Sequence, residues 1–272
     1  MKRQFRFPRL STDSIQQNVQ HRLASTAALA IYGLGGIYTF IPKNACSTLR
    51  YSLAIHNGFL REGDDPGWIH SNNEVFRASQ QHMAEARYTF VVLRCPYRRL
   101  ASAFLDKVVS ADALARVLVA KSAAPQDIEA VRAQDIHALS FADFARICLS
   151  PPSRIIDFHW LPQVTFLVYE DYDDWFSVEA FDDATERLEN RGFKVHDTRG
   201  IIDHSTAKFE KIGGNFSRVP AGEIYQMKRE GKVPSSESLF DDETRALVLR
   251  LYKPDIELFS DKIGASQLMF PQ

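Results

Sequence analysis

Pro42-Lys43-Asn44-Ala45-Cys46-Ser47-Thr48 places one mobile ammonium and two hydroxyls within seven consecutive positions. A loop of this kind, opening a helix, adds free backbone N–H groups to those side chains and suits a phosphate or phosphosulfate. The same residues would also serve a plain helix start, with Ser47 as its N-cap. The loop is not a Walker A loop, because its lysine stands at the beginning and no glycine lies between Lys43 and Thr48. A second cluster reads Arg94-Cys95-Pro96-Tyr97-Arg98-Arg99-Leu100-Ala101-Ser102, with Ser102 eight positions after Arg94. A guanidinium fork and a hydroxyl two helical turns on suit a terminal phosphate. The blander use of that pair is an arginine ion pair and a small serine packed on a sheet.

Both clusters need strands to deliver them and helices to receive them. Ile37–Ile41 (IYTFI) and Tyr88–Leu93 (YTFVVL) are dense in β-branched and aromatic residues and read as strands. Each runs into its cluster, and helices are expected from about Thr48 and from Pro96, which suits a first helical position. Residues 61–75 read as turn-rich, and residues 110–138 as irregular helix. A helix over LSFADFARICL is expected to stop at Pro151-Pro152. Thr165–Tyr169 (TFLVY) is the third strand candidate. Asp182–Arg191 reads as a helix capped by Gly192, and 203–240 as loop. The last helix begins at Asp241-Asp242-Glu243 and ends at Pro254. Strands alternating with helices imply a parallel sheet covered on both faces, with ligands beyond the carboxyl ends of its strands. The expected fold is α/β, a P-loop-like three-layer arrangement with a central parallel sheet flanked by helices. The expected organisation is an N-terminal arm over 1–30 and one domain over 31–272.

Composition narrows the function. Lys and Arg total 33 against 34 acids among 272 residues, so no global basic field recruits nucleic acid and any anion site is local. Three cysteines, Cys46, Cys95 and Cys148, fit neither a disulfide framework nor a zinc site. A reducing compartment is the simpler reading. The uncharged stretch Leu23–Ile41 has the length of a membrane span, but Gly33, Gly35 and Gly36 interrupt it and it ends in a strand-like run.

Ile41–Leu49 looks like the 5'-phosphosulfate loop of the sulfotransferases that use 3'-phosphoadenosine-5'-phosphosulfate (PAPS), and Arg94–Phe104 looks like their 3'-phosphate motif. The resemblance is to the carbohydrate sulfotransferases that act on the HNK-1 epitope, on chondroitin or dermatan, and on N-acetylgalactosamine. Cys95 departs from it, since the family has an acid there. Ser140–Phe144, Asp157–Gln163 and Leu251–Phe259 resemble further family segments in the same order, so the likeness spans roughly 37–260. It implies PAPS as co-substrate with no metal requirement, and a hydroxyl acceptor on a carbohydrate. Pro42, Lys43, Asn44, Ala45, Cys46, Ser47 and Thr48 would hold the 5'-phosphosulfate, and Arg94 and Ser102 the 3'-phosphate. Ser205 and Thr206 resemble a late segment that touches the nucleotide. Lys43 would neutralise charge developing on the leaving phosphate oxygen.

A general base must take the acceptor's proton, and histidine suits the task. His70 and His82 lie between the two motifs, where related enzymes place a base, and His159 belongs to the family-like DFHWLPQ segment. Trp160 and Trp175 are candidates to stack on a sugar, with core packing as the default. A kinase-like nucleotide-dependent transferase and a non-catalytic nucleotide or glycan binder stand as alternatives. No nucleic acid or membrane partner is expected. Golgi relatives carry an N-terminal anchor and this chain shows no convincing one, so a cytoplasmic, bacterial-type enzyme is the expectation.

Overall fold

A computed structural model describes residues 3–10, 12, 14–110, 136–149, 157–198 and 208–271. The chain's contacts cluster into two units, one comprising residues 1–94 and 163–203, the other 95–162 and 204–272.

The first unit holds a four-stranded sheet in the order β1-β2-β3-β4. Its strands are β1 (Ala28–Ile31), β2 (Gly36–Thr39), β3 (Tyr88–Leu93) and β4 (Asp174–Ser177). β2 pairs with β3 in parallel, Thr39 opposite Val91, and β3 with β4 in parallel; β1 is the antiparallel edge, Ala28 opposite Thr39. The helices of this unit are α1 (Val19–Thr26), α2 (Cys46–His56), α3 (Trp68–Ser71) and α4 (Gln80–Ala84), with α7 (Phe181–Asn190) following β4. Every residue of β2 and β3 is buried, which explains why these strands read as unbroken apolar runs rather than alternating ones. On one face Tyr38, Phe90, Val92 and Phe176 pack with Leu49 and Leu53 of α2 and Leu188 of α7. Tyr38 stacks on Phe90 with ring centroids 4.9 Å apart.

The second unit is mainly helical: α5 (Pro96–Ala103), α6 (Phe141–Leu149), α8 (Ala221–Arg229), α9 (Asp242–Leu251) and α10 (Lys253–Phe259), with a parallel pair β5 (Glu210–Ile212) and β6 (Lys232–Pro234). Phe104, Phe141 and Phe144 pack edge-on or tilted within 6 Å of one another or of Trp160 and Phe240. Asp241 caps α9, its side chain accepting from the Thr244 N–H while the Thr244 hydroxyl answers the Asp241 N–H.

Several expectations are corrected. Thr165–Tyr169 is not a strand: Gln163–Phe166 forms a 3₁₀ turn and only Tyr169 bridges to Phe5. A short apolar run destined for a core cannot be told from a strand by pattern. The third parallel strand is Asp174–Ser177, whose buried Asp174 is tied to Arg187, Arg191 and the Tyr88 hydroxyl. The stretch 203–240, read as loop, carries α8, β5 and β6. Pro254 opens α10 rather than ending the chain's last helix. Most of 110–138, the Pro151-Pro152 stop and the Ser205-Thr206 segment lie outside the described residues. The stretch 23–41 folds as the end of α1 and the β1–β2 hairpin, and among the described residues no helix is long and apolar enough to cross a membrane.

Candidate active site

β2 and β3 are neighbours running the same way, so the segments that leave them emerge side by side. Lys43 lies four residues beyond Thr39, and Arg94 three beyond Val91, the residue paired with Thr39. Strands are spaced by about 4.8 Å. The Lys43 loop and Arg94 therefore meet at one end of one sheet. Arg94 Nη1 donates to the Lys43 carbonyl at 2.8 Å.

The first loop is held in a conformation its residues do not favour. Lys43 and Ala45 have φ of 72° and 53°. Left-handed backbone at a non-glycine residue costs about 1–2 kcal/mol. What fixes it is Asn44 between them, which is fully buried and donates from Nδ2 to Val92 O at 2.8 Å and to Gln163 Oε1 at 2.6 Å. Its backbone N–H donates to Ile41 O. Asn44 thus spends its side-chain donors inside the protein, where it holds the loop. Pro42 is buried as well.

Ala45, not Ser47, is the N-cap of α2, and it provides no side-chain cap. The first intrahelical bond runs from Leu49 N to Ala45 O. The N–H groups of Cys46, Ser47 and Thr48 therefore precede the ladder and form the positive end of an eleven-residue helix. Left-handed residues next to such an end turn successive N–H groups toward one point, the geometry of an anion nest. Lys43, Cys46 and Ser47 are half-buried around it, while Thr48 is buried and shares a 2.9 Å hydrogen bond with the Thr198 hydroxyl.

Gln163 was not foreseen as part of the site. Its Oε1 also accepts from the Arg94 N–H at 3.0 Å, and its Nε2 donates to Arg94 O at 2.9 Å. One buried amide thereby fixes the backbone of Arg94 and the orientation of Asn44. The only sequence signal was its place at the end of the DFHWLPQ segment. Thr198 gave no signal, and it comes from a segment that also reaches α2 through the His196 N–H on Ser52 Oγ at 2.8 Å.

The histidines separate. His82 sits on α4 beside Gly35, Gly36 and Arg87, at the amino ends of β2 and β3, so it is at the opposite end of the sheet from the loop. His70 is exposed on α3, which is tied to α2 by Arg50 donating to Ile69 O. In the second unit, His159 Nδ1 lies 2.5 Å from Asp157 Oδ1, which also accepts the His159 N–H at 2.7 Å. Arg99, fully buried, donates to Leu161 O at 2.6 Å and to Phe158 O at 3.3 Å, clamping the segment that bears His159. Ser102 is half-buried on α5. Trp160 is buried against Phe144, so packing accounts for it; Trp175 is half-buried and donates to Asp171 Oδ1. Burial pushes the Tyr38 phenol well above its usual range and the Cys148 thiol likewise, so both stay neutral. Among the described residues no group of three His, Cys, Asp or Glu side chains is arranged to hold a metal ion.

No curated protein and no solved structure gives a significant match to the chain. A family model does match, that of the sulfotransferase family, over residues 36–260. The matched span contains both strand-to-helix clusters, Gln163 and the Asp157–His159 pair, and covers well over half of the sequence. The chain belongs to the sulfotransferase family.

Proposed function

We propose that the protein moves a sulfuryl group from PAPS to a hydroxyl of a carbohydrate, on a P-loop-like sheet. One observation carries this reading: the Lys43 loop and Arg94 stand side by side at the carboxyl ends of adjacent parallel strands, joined by the 2.8 Å bond from Arg94 to Lys43 O. A donor with one phosphate group at each end needs such a doubled site. The N–H groups of residues 46–48, with Ser47 and Thr48, hold the 5'-phosphosulfate, and the family resemblance supports Arg94 and Ser102 as the residues for the 3'-phosphate.

Sulfuryl transfer is an in-line displacement in which positioning and charge stabilisation dominate, as in phosphoryl transfer. Lys43 stabilises charge gathering on the departing phosphate oxygen. Within the second unit, Asp157 accepts from His159 Nδ1, which leaves Nε2 able to take a proton, and this supports His159 as the base that the reaction needs. The family resemblance supports the carbohydrate acceptor. Calorimetric titration with adenosine 3',5'-bisphosphate, set against ATP with magnesium, tests the donor. Transfer of label from PAPS to a glycan panel tests the reaction. Binding of ATP but not of the bisphosphate would refute the reading.

A further inference from the structure

The chain that follows α7 is laid along α2 in the direction opposite to the helix. Phe193 is buried in the core, its ring 5.4 Å from His56 at the carboxyl end of α2. Val195 packs against the same core. The His196 N–H donates to Ser52 Oγ at 2.8 Å, one turn nearer the start of the helix. One turn further on, Thr198 Oγ1 lies 2.9 Å from Thr48 Oγ1. Residues 193–198 are thus a strap that runs from the last residue of α2 to its first turn, all within the first unit. Lys194 Nζ pairs with Glu62 at 3.1 Å, and the His196 ring meets Tyr51 edge-on, so the strap is tied along its length.

What the strap delivers to the phosphosulfate loop is one hydroxyl. Thr48 and Thr198 are both buried, and among the described residues neither side-chain oxygen has a further partner. A hydroxyl carries one proton and two acceptor sites. If Thr48 gives its proton to Thr198, it has none left for a ligand. If Thr198 gives its proton to Thr48, the Thr48 proton is left over and is polarised by the bond that Thr48 accepts. Thr48 stands in the first turn of α2, where the N–H groups of residues 46–48 precede the helical ladder and favour a negative group. An anion held there attracts the Thr48 proton and so selects the second arrangement.

We propose that Thr198 is a positioning residue for the 5'-phosphate end of the donor: its hydroxyl donates to Thr48 and turns the Thr48 proton toward the bound phosphate group. In this role Thr198 acts through Thr48 alone. The inference deepens the proposed function and rests on its assignment of the Lys43 loop to the phosphosulfate.

The test is calorimetric titration of the full chain with adenosine 3',5'-bisphosphate, a probe that carries the 5'-phosphate. Thr198→Val keeps the shape of the side chain and removes its donor, so it should weaken binding about 3- to 10-fold, the worth of one neutral hydrogen bond. Thr198→Ser returns a hydroxyl to the same place and should bind within about twofold of the unaltered protein. Thr48→Val removes the group through which Thr198 acts, so adding Thr198→Val to that variant should cost no further affinity. Unchanged affinity in Thr198→Val, no restoration by serine, or the same loss with and without the Thr48 hydroxyl overturns the proposal; the last is what a merely structural role would give. Should Thr198→Val fail to fold, the Thr198 methyl resonance of the unaltered protein decides: it should shift when the bisphosphate is added, and no shift overturns the proposal. Absence of bisphosphate binding in the unaltered protein would instead sink the donor assignment, and this inference with it.

Discussion

On the proposed mechanism Lys43 and Arg94 do different work in an in-line transfer, and substitution should separate them. Lys43 meets charge that develops only as the phosphate departs, so Lys43→Ala should lower kcat by about 10²–10³ with little change in nucleotide affinity. Arg94 meets a phosphate that is charged throughout. Losing a charge-assisted hydrogen bond costs about 1.5–3 kcal/mol, so Arg94→Ala should weaken bisphosphate binding by roughly 10- to 100-fold. Steady-state kinetics beside calorimetry read both; equal losses in both quantities for both variants would contradict the division. Gln163 bears on the site from inside the protein, through its bonds to Asn44 and Arg94. Gln163→Ala leaves the Asn44 amide and the Arg94 N–H without their shared acceptor. Each buried orphan costs about 1–3 kcal/mol. The expected outcome is a clear fall in the denaturant midpoint together with weaker bisphosphate binding. An unchanged midpoint would show that the tie does not matter.

The elements differ in how far local chemistry sets them. β3 and the start of α5 lie where local chemistry put them: five β-branched or aromatic residues and a leucine, then a proline at a helix start. β4 was hidden because Asp174 looks like a turn residue until Arg187, Arg191 and Tyr88 surround it. At α9 the cap is local and therefore legible, and it makes a pH-dependent contribution. Burial raises the Asp241 carboxyl, but hydrogen bonds from Thr244 and Ser217 and the charge of Arg218 outweigh this and hold it below its ordinary value. A depressed carboxyl stabilises the fold above its unfolded value and loses that contribution as pH falls through the folded one. Asp241→Ala should cost about 0.5–2 kcal/mol at pH 7. The gap from the unaltered protein should narrow below about pH 4, where the unfolded carboxyl also protonates. A pH series of chemical denaturation measures it; a gap constant from pH 7 to pH 3 would exclude the charged cap.

For the whole molecule, a net charge of -1 supplies no field to gather a polyanionic nucleotide, so the proposed donor would have to be held by the local site. Adenosine 3',5'-bisphosphate should then stabilise the native state through that site alone, by about 2.7 kcal/mol at one hundred times its Kd. Differential scanning calorimetry should show the matching rise in Tm in the unaltered protein, a reduced rise in Arg94→Ala at the same concentration, and little change with ATP and magnesium. Equal shifts for both nucleotides would argue against recognition of the 3'-phosphate.

The sequence by itself determined the two strand-loop-helix units that carry Lys43 and Arg94, because strand propensity, turn chemistry and helix starts act over a few residues. It also carried the family, since those motifs stand in order along the chain. Only the tertiary structure decided that β2 and β3 are neighbours in matched register, that Gln163 arrives from 69 residues beyond Arg94, and that Thr198 meets Thr48 across 150. It alone sent His82 to the far end of the sheet. Contacts of that range are set by which buried faces pack together, and no local pattern of residues encodes their partners.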